Sequence, residues 1–284
     1  MIFGVDLPPF PRVLSTMGLG VSSPLSASLS SVGFRSLLRN QPALPNVTLV
    51  AVSSVKMKNT VRALKASMRG LRFGRVVLVS HKLPSGLPRG VEFVRSMELR
   101  GTDDYSRFVL YELGPLIHTE FALVVQHDGF VVRPHRWTAD FLEYDYVGAP
   151  WKPGKFFAPD GSSVLVGNGG FSLRSKRMLD AFNVLQIGFA DGGTGSLNED
   201  GLICSLHRNL LEENGLRFAP MEVAARFSLE DSHFSAELRP FGFHSGWKFM
   251  PLPSRISYLL RFRTGQLFEH VRGQVLNSRK ARLS

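Results

Sequence analysis

Four short segments carry residues whose types and spacing could do chemistry. The first is Phe121-Ala122-Leu123-Val124-Val125-Gln126-His127-Asp128-Gly129-Phe130, in which five apolar residues deliver an acid into a turn that a glycine opens. Such a run reads as a strand buried on both faces. In open α/β sheets, ligands bind in the crevice beyond the carboxyl ends of the strands. A carboxylate there can hold a divalent cation, and the cation can hold a diphosphate. The plain alternative for Asp128 is a solvated Asp-Gly turn.

The second segment, Val166-Gly167-Asn168-Gly169-Gly170-Phe171-Ser172-Leu173-Arg174, has three glycines in four positions. Without a Cβ the backbone can approach a ligand closely, and Asn168 between glycines suits a polar, ligand-facing loop. Ser172 is a candidate N-cap for a following helix. No Gly-Lys-Ser/Thr follows, so this is not a P-loop. The third segment, Asn198-Glu199-Asp200-Gly201, stands at a helix start. Its acids either complement the helix dipole or act as a general base and its polariser. The fourth, Phe241-Gly242-Phe243-His244-Ser245-Gly246-Trp247, offers a histidine as metal or phosphate ligand, or one that is simply hydrogen-bonded. The single cysteine, Cys204, sits among Leu202, Ile203 and Leu206 and reads as a buried structural thiol. No intrachain disulfide can form, which fits a reducing compartment.

These segments need a scaffold, and the chain can supply one. With 284 residues, 44% hydrophobic, 20% charged and 22 phenylalanines, it reads as globular. No apolar run approaches the roughly 18–20 residues of a membrane span. The net charge of +11 is uneven: residues 1–45 carry +2 and residues 255–284 carry +6, which leaves +3 for the middle. A basic tail on a nearly balanced core argues against a nucleic-acid-binding domain.

Residues 1–45 are rich in Ser, Pro and Gly and read as a disordered or loosely attached leader; a mis-assigned start and an organelle-targeting segment both fit it. Pro45 and Asn46 open the ordered region 46–254. Val47–Ser53 reads as a strand, Lys56–Arg69 as a helix and Val76–Val79 as a strand, a β-α-β order that implies a parallel sheet. Tyr105, Phe108, Val109, Leu113 and Leu116 give a helical stripe before the Asp128 strand. Tyr144–Val147 reads as a short strand, Phe171–Leu185 as a helix entered through the glycine loop, and Leu202–Leu211 as another helix after Gly192-Gly193-Thr194-Gly195. Residues 255–284 form a basic tail with an amphipathic helix over 255–276, suited to anionic lipid.

The ordered set of Gln126-His127-Asp128-Gly129, Gly167-Asn168-Gly169-Gly170, Asn198-Glu199-Asp200 and His244 resembles the motifs of glycosyltransferases with the GT-A fold. More narrowly, Gln-x-Asp-Gly, Tyr146–Trp151 (Tyr-x-Gly-Ala-Pro-Trp), Gly167–Arg174 and Phe241–His244 resemble a largely uncharacterised bacterial glycosyltransferase-like domain family. The resemblance covers about residues 46–250. It implies an α/β, GT-A-like (Rossmann-like) fold: a mostly parallel sheet flanked by helices, with an irregular acceptor-side half. It also implies sugar transfer from a nucleotide-sugar donor to an acceptor hydroxyl on a glycan or lipid-linked molecule, with inversion favoured. The alternative is a non-catalytic nucleotide- or carbohydrate-binding module on the same fold. The implied roles are a base at Asp200 supported by Glu199, and donor contacts at Val52, Ser53, Arg107, Asp128 and Gly129. A donor-sugar and acceptor face falls at Trp151, Asn168, Gly169 and Gly170, with Trp151 as a stacking platform. A divalent cation, Mn²⁺ or Mg²⁺, falls at Asp128 and His244. The chain departs from the family in one respect: the second acid of the usual Asp-x-Asp is replaced by Phe130. The expected location is cytoplasmic, peripheral to the membrane through the tail, and no nucleic acid is expected as a partner.

Overall fold

A computed structural model describes residues 41–189, 198–230 and 239–244. The leader before residue 41, the Gly192–Gly195 turn, Trp247 and the C-terminal helix over 255–276 lie outside the described residues.

Strand β1 (Ala43–Val52) is the first element of the described residues. It begins ahead of Pro45, inside the span expected to be leader, and its register on the next strand shifts between Leu44 and Thr48. Gly74 makes this possible, since a Cβ there would stand 2.0 Å from the Pro45 carbonyl oxygen. Helix α1 (Met57–Ser67) follows, then β2 (Arg72–Ser80), parallel to β1 as the β-α-β pattern requires. The chain continues through β3 (Glu92–Arg95), α2 (Thr102–Arg107), a π-helical turn over Phe108–Glu112, α3 (Leu113–Leu116) and β4 (Phe121–Val125).

Beyond β4 come the short strands β5 (Gly129–Val131), β6 (Tyr146–Val147), β7 (Ala149–Pro150) and β8 (Val166–Gly167), then β9 (Phe171–Ser175) and helix α4 (Lys176–Val184). The last elements of the described residues are α5 (Glu199–Gly201), a π-helical turn over Leu202–Leu206, α6 (Arg208–Glu213), α7 (Met221–Phe227), β10 (Ser228–Leu229) and β11 (Gly242–His244).

The main sheet has the order β3-β2-β1-β4-β9-β6. Its first four strands are parallel, and β9 runs antiparallel to both β4 and β6. Alternation within β1 explains why both faces are covered. Val47, Leu49 and Ala51 join one core with Leu64 of α1, while Val50 and Val52 join another with Phe108, Val109 and Leu113. This is the mostly parallel, helix-flanked α/β architecture that the resemblance implies.

One element differs from the sequence reading. Phe171–Ser175 is a fully buried strand, and the helix starts only at Lys176. The N-cap is therefore Ser175, whose Oγ accepts from the Met178 N–H at 3.0 Å, and not Ser172. Phe171–Ser175, whose first four residues alternate apolar and polar, gains a full ladder between β4 and β6 as a strand, which outweighs the helical spacing of the residues after it.

A three-stranded sheet, β10-β11-β5, stands beside the main one. Phe130, Val132, Leu229 and Phe243 pack it on Ala63 and Ala66 of α1, whose small side chains let the strands come close. Ser67 Oγ pins it by accepting from the Val131 N–H at 3.1 Å. No helix of the described residues is long and apolar enough to cross a membrane.

Candidate functional site

The carboxyl ends of β1 and β4 open into a cavity of about 370 Å³ lined by Val52–Val55, Leu99–Thr102, Tyr105, Gln126, His127, Asn198 and Glu199. The walls are held from within the chain. The Ser53 N–H donates to the Val79 carbonyl at 3.0 Å, and the Leu99 N–H donates to Ser54 Oγ at 2.8 Å, tying the two rims together. Val52 and Ser53 line this cavity at the carboxyl end of β1.

Asp128 arrives through a tight turn. Gln126 and Gly129 exchange both backbone hydrogen bonds at 3.1 Å, with His127 and Asp128 between them. The β10-β11-β5 register then aligns three side chains. His244 pairs with Gly129, and the parallel pairs Ser228–Gly242 and Leu229–Phe243 bring Glu230 beside His244. His244 Nε2 lies 3.5 Å from Asp128 Oδ1, and His244 Nδ1 lies 3.3 Å from Glu230 Oε1. The first approach is too long for a good hydrogen bond, and the buried Asp128 Oδ1 has no hydrogen-bond partner among the described residues. Burial opposes a charge on His244, but the two carboxylates outweigh it and push its pKa up to about 9. Burial likewise opposes ionisation of Asp128, yet His244 and His127 hold its pKa below the ordinary value. His127, whose own pKa burial lowers, takes the Lys56 ammonium at 3.0 Å.

The glycine loop is shaped by what lies behind it. A Cβ on Gly170 would stand 2.1 Å from His244 Nε2, one on Gly129 would stand 2.6 Å from the Gly170 carbonyl oxygen, and one on Gly169 would stand 1.8 Å from Glu199 Oε1. The close approach that these glycines permit is to the protein's own histidine and acid. Asn168 is fully buried in the left-handed region (φ 84°), its Oδ1 accepting from the Gly170 N–H at 2.9 Å. It shapes the loop from inside and does not face a ligand, which corrects the sequence reading.

The acidic pair divides its roles. Glu199, 3% exposed, accepts from the buried Arg174 guanidinium at 3.0 Å, and its N–H donates to Ser106 Oγ at 3.1 Å. Burial opposes the guanidinium charge, but Tyr146 and Glu199 more than offset it, so Arg174 is held charged. Asp200 is gripped by two backbone donors, Gly169 N–H on Oδ2 at 3.0 Å and Gly201 N–H on Oδ1 at 2.9 Å. Burial first, then the nearby Glu230 charge, raise its pKa above the ordinary aspartate value. A raised pKa makes this carboxylate a stronger proton acceptor than an ordinary aspartate.

Two expected contacts do not join this group. Trp151 is 3% exposed, lies under Gly167 and packs on Phe156 at 4.3 Å between ring centroids. Its indole N–H donates to Glu230 Oε2 at 2.9 Å. It is a core tryptophan and not a stacking platform. Arg107 lies over the Phe189 ring at 4.0 Å and is not part of the cavity lining.

Sequence reasoning missed Glu230, Arg174 and Lys56. Arg174 stood inside the quoted glycine-loop motif, and its burial follows from a strand that was read as a helix. Lys56, at φ 48°, is a non-glycine residue in the left-handed region at the entry to α1.

Among the described residues no group of three or more His, Cys, Asp or Glu gathers to hold a metal ion. The pair Asp128 and His244 does fit a cation that takes its other ligands elsewhere: the buried Asp128 Oδ1 has no hydrogen-bond partner among the described residues, and the imidazole is oriented by a carboxylate.

Comparison with known proteins adds the following. A family model described as Protein of unknown function (DUF5672) matches residues 90–244. No curated protein matches. An active-site mutant of LgtC is similar in structure at 13% identity and TM-score 0.47, over 75% of this chain and 94% of that one. The mannosyltransferase PcManGT from Pyrobaculum calidifontis, in complex with GDP-Man and Mn²⁺, is similar at 14% identity and TM-score 0.39, over 68% of this chain and 62% of that one. A glycosyltransferase involved in the glycosylation of the major capsid of PBCV-1 is similar at 11% identity and TM-score 0.43, over 70% and 92%.

Proposed function

The chain belongs to the family described as Protein of unknown function (DUF5672), and we propose that it is a glycosyltransferase that moves a sugar from a nucleotide-sugar donor to an acceptor hydroxyl. One observation carries the reading. The lining of the cavity beyond β1 and β4 includes His127 and Glu199, the residues directly before Asp128 and Asp200; Asp128 faces His244, and the raised-pKa carboxylate Asp200 accepts from the Gly169 N–H. A leaving diphosphate and an acceptor hydroxyl need these two environments side by side.

In this proposal Val52 and Ser53 meet the nucleoside, and the diphosphate lies toward Asp128, His244 and Lys56. Asp128 Oδ1 and His244 Nε2 would hold a divalent cation, Mn²⁺ or Mg²⁺. Such a cation would supply positive charge against the diphosphate. His244, Lys56 and the Asp128 turn also act on charge directly, since fixed groups aimed at a leaving oxygen stabilise the transition state. Asp200 takes the proton of the acceptor hydroxyl. The acceptor oxygen then bonds to the sugar's anomeric carbon as the bond from that carbon to the phosphate oxygen breaks, which gives inversion. Glu199 serves by holding Arg174 and the helix start.

Substituting the base tests the reading. Asp200→Asn should lower transfer or donor hydrolysis by roughly 10²–10⁴-fold, with nucleotide-diphosphate binding kept. Full activity would remove Asp200 from the role. A thermal-shift panel of nucleotide sugars, with and without Mn²⁺, identifies the donor because a bound ligand stabilises by mass action. Binding without any turnover would favour a non-catalytic module. A glycan or lipid-linked acceptor, reached through the basic segment 255–284, completes the proposal. Removing that segment should abolish cosedimentation with anionic liposomes.

A further inference from the structure

Glu230 is a buried carboxylate that the proposed reaction does not use, yet both of its oxygens are committed. Oε1 faces His244 Nδ1 at 3.3 Å, and Oε2 accepts from the Trp151 indole N–H at 2.9 Å. Its side chain is 12% exposed. The backbone dictates the first contact: Glu230 directly follows β10, one residue past the Leu229–Phe243 pair, so the parallel register sets it next to His244. The second contact comes from a different element, the chain after β7, and holds the carboxylate from behind. The imidazole is thus gripped through Nδ1, with Nε2 turned toward the buried Asp128 Oδ1, 3.5 Å away, which has no hydrogen-bond partner among the described residues.

We propose that Glu230 is the positioning residue of this site: it fixes the ring of His244 so that Nε2 and Asp128 Oδ1 converge on one divalent cation. The inference rests on the proposed reading of Asp128 and His244 as the cation-holding pair. A histidine that ligates a metal through one nitrogen and donates the other N–H to a carboxylate has a fixed tautomer and a more basic ligand nitrogen, and loss of such a carboxylate typically weakens metal affinity roughly 10–100-fold. The geometry separates this role from simple packing. A carboxylate serves two donors at once, whereas a glutamine in its place has one oxygen and one NH₂ group, and the NH₂ must confront either Trp151 or His244.

The test uses the full chain and Mn²⁺ alone, with free Mn²⁺ followed by electron paramagnetic resonance, so that it needs no donor, acceptor or turnover. Glu230→Gln should bind Mn²⁺ roughly 10–100-fold more weakly than the wild type, with circular dichroism unchanged. Trp151→Phe removes the indole N–H while leaving Glu230 and His244 in place, and should bind Mn²⁺ within about threefold of the wild type. Adding Trp151→Phe to Glu230→Gln frees the amide oxygen for His244 Nδ1 and should recover part of the affinity. Equal affinity of Glu230→Gln and wild type overturns the proposal, and so does an equal loss in Trp151→Phe, which would make Glu230 a packing residue. Absence of Mn²⁺ binding to the wild type at millimolar concentration overturns it as well. If Mn²⁺ binding behaves as expected while no nucleotide sugar is bound or turned over, the transfer reading fails and the positioning role stands.

Discussion

Arg174 donates to Glu199 across 3.0 Å in the interior, with 1% and 4% of the two side chains exposed. The guanidinium also donates through Nε to Ser172 Oγ at 3.0 Å and lies over the Tyr146 ring at 5.4 Å. A charge this deep depends on its partner, because the desolvation cost is met only while the pair is intact. Glu199→Ala leaves Arg174 buried and uncompensated and should destabilise the chain by about 3–5 kcal/mol. Urea unfolding followed by circular dichroism measures it. A loss under about 1 kcal/mol would mean that water reaches Arg174 and that the pair does not anchor the helix start.

Asp200 sits where two backbone N–H groups favour its charge and where burial and Glu230 oppose it, with a net rise in pKa. A base must be ionised to act, so activity should fall as pH drops, and the acid limb of the kcat profile should lie above the ordinary aspartate range near 4. Because the Glu230 charge contributes to the rise, Glu230→Gln should move that limb to lower pH. A limb that stays put in this variant would show that Asp200 does not feel Glu230, or that another group sets the profile.

Gly170 and His244 exclude each other's bulk. A Cβ on Gly170 would overlap the imidazole at 2.1 Å from Nε2 and 2.3 Å from Cδ2. Gly170 is not among the glycines with positive φ, so alanine is tolerated by the backbone and acts only through this clash. Gly170→Ala should displace the ring and reduce turnover about 100-fold, the scale set by a misplacement of about 1 Å in a catalytic site. Gly86→Ala is the contrasting case, with open space at the Cβ but φ +72°, and should lower stability with no effect on turnover. Steady-state kinetics and melting temperatures of the two variants separate the mechanisms.

The parallel half of the fold is legible because its signals are local. Val47–Ser53, Lys56–Arg69 and Phe121–Val125 each state their period within one segment, and one β-α-β unit then fixes the sheet. The other half is written in long-range pairs. Phe171-Ser172-Leu173-Arg174 does alternate with period two before Ser175 breaks the pattern, but the polar members of the strand are buried by partners on other elements: Arg174 by Glu199, and Ser175 by Asp145 at 2.5 Å. Glu230 is still less visible. Its place depends on the register of strands two and three residues long, one on each side of a segment outside the described residues. Order along the chain singles out Asp128, Asp200 and His244 as candidates. It does not identify the groups that tune and hold them, nor that Trp151 is core.

His244 makes the stability of the chain pH-dependent in a defined direction. Its pKa in the folded protein is about 9, above the value near 6.5 expected in the unfolded chain. The folded state therefore binds the proton more tightly, and the stabilisation from Asp128 and Glu230 is fully present below about pH 6.5. It is lost as pH rises through 9, where the ring becomes neutral between two carboxylates. With EDTA present to keep cations away, the melting temperature of the wild type should fall between pH 6.5 and 9 relative to that of His244→Gln, which cannot titrate there. At pH 6.5 the wild type should be the more stable protein, and above pH 9.5 the two curves should run parallel. Parallel curves across the whole range would mean that the imidazole carries no extra proton and forms no ion pair with Asp128 and Glu230.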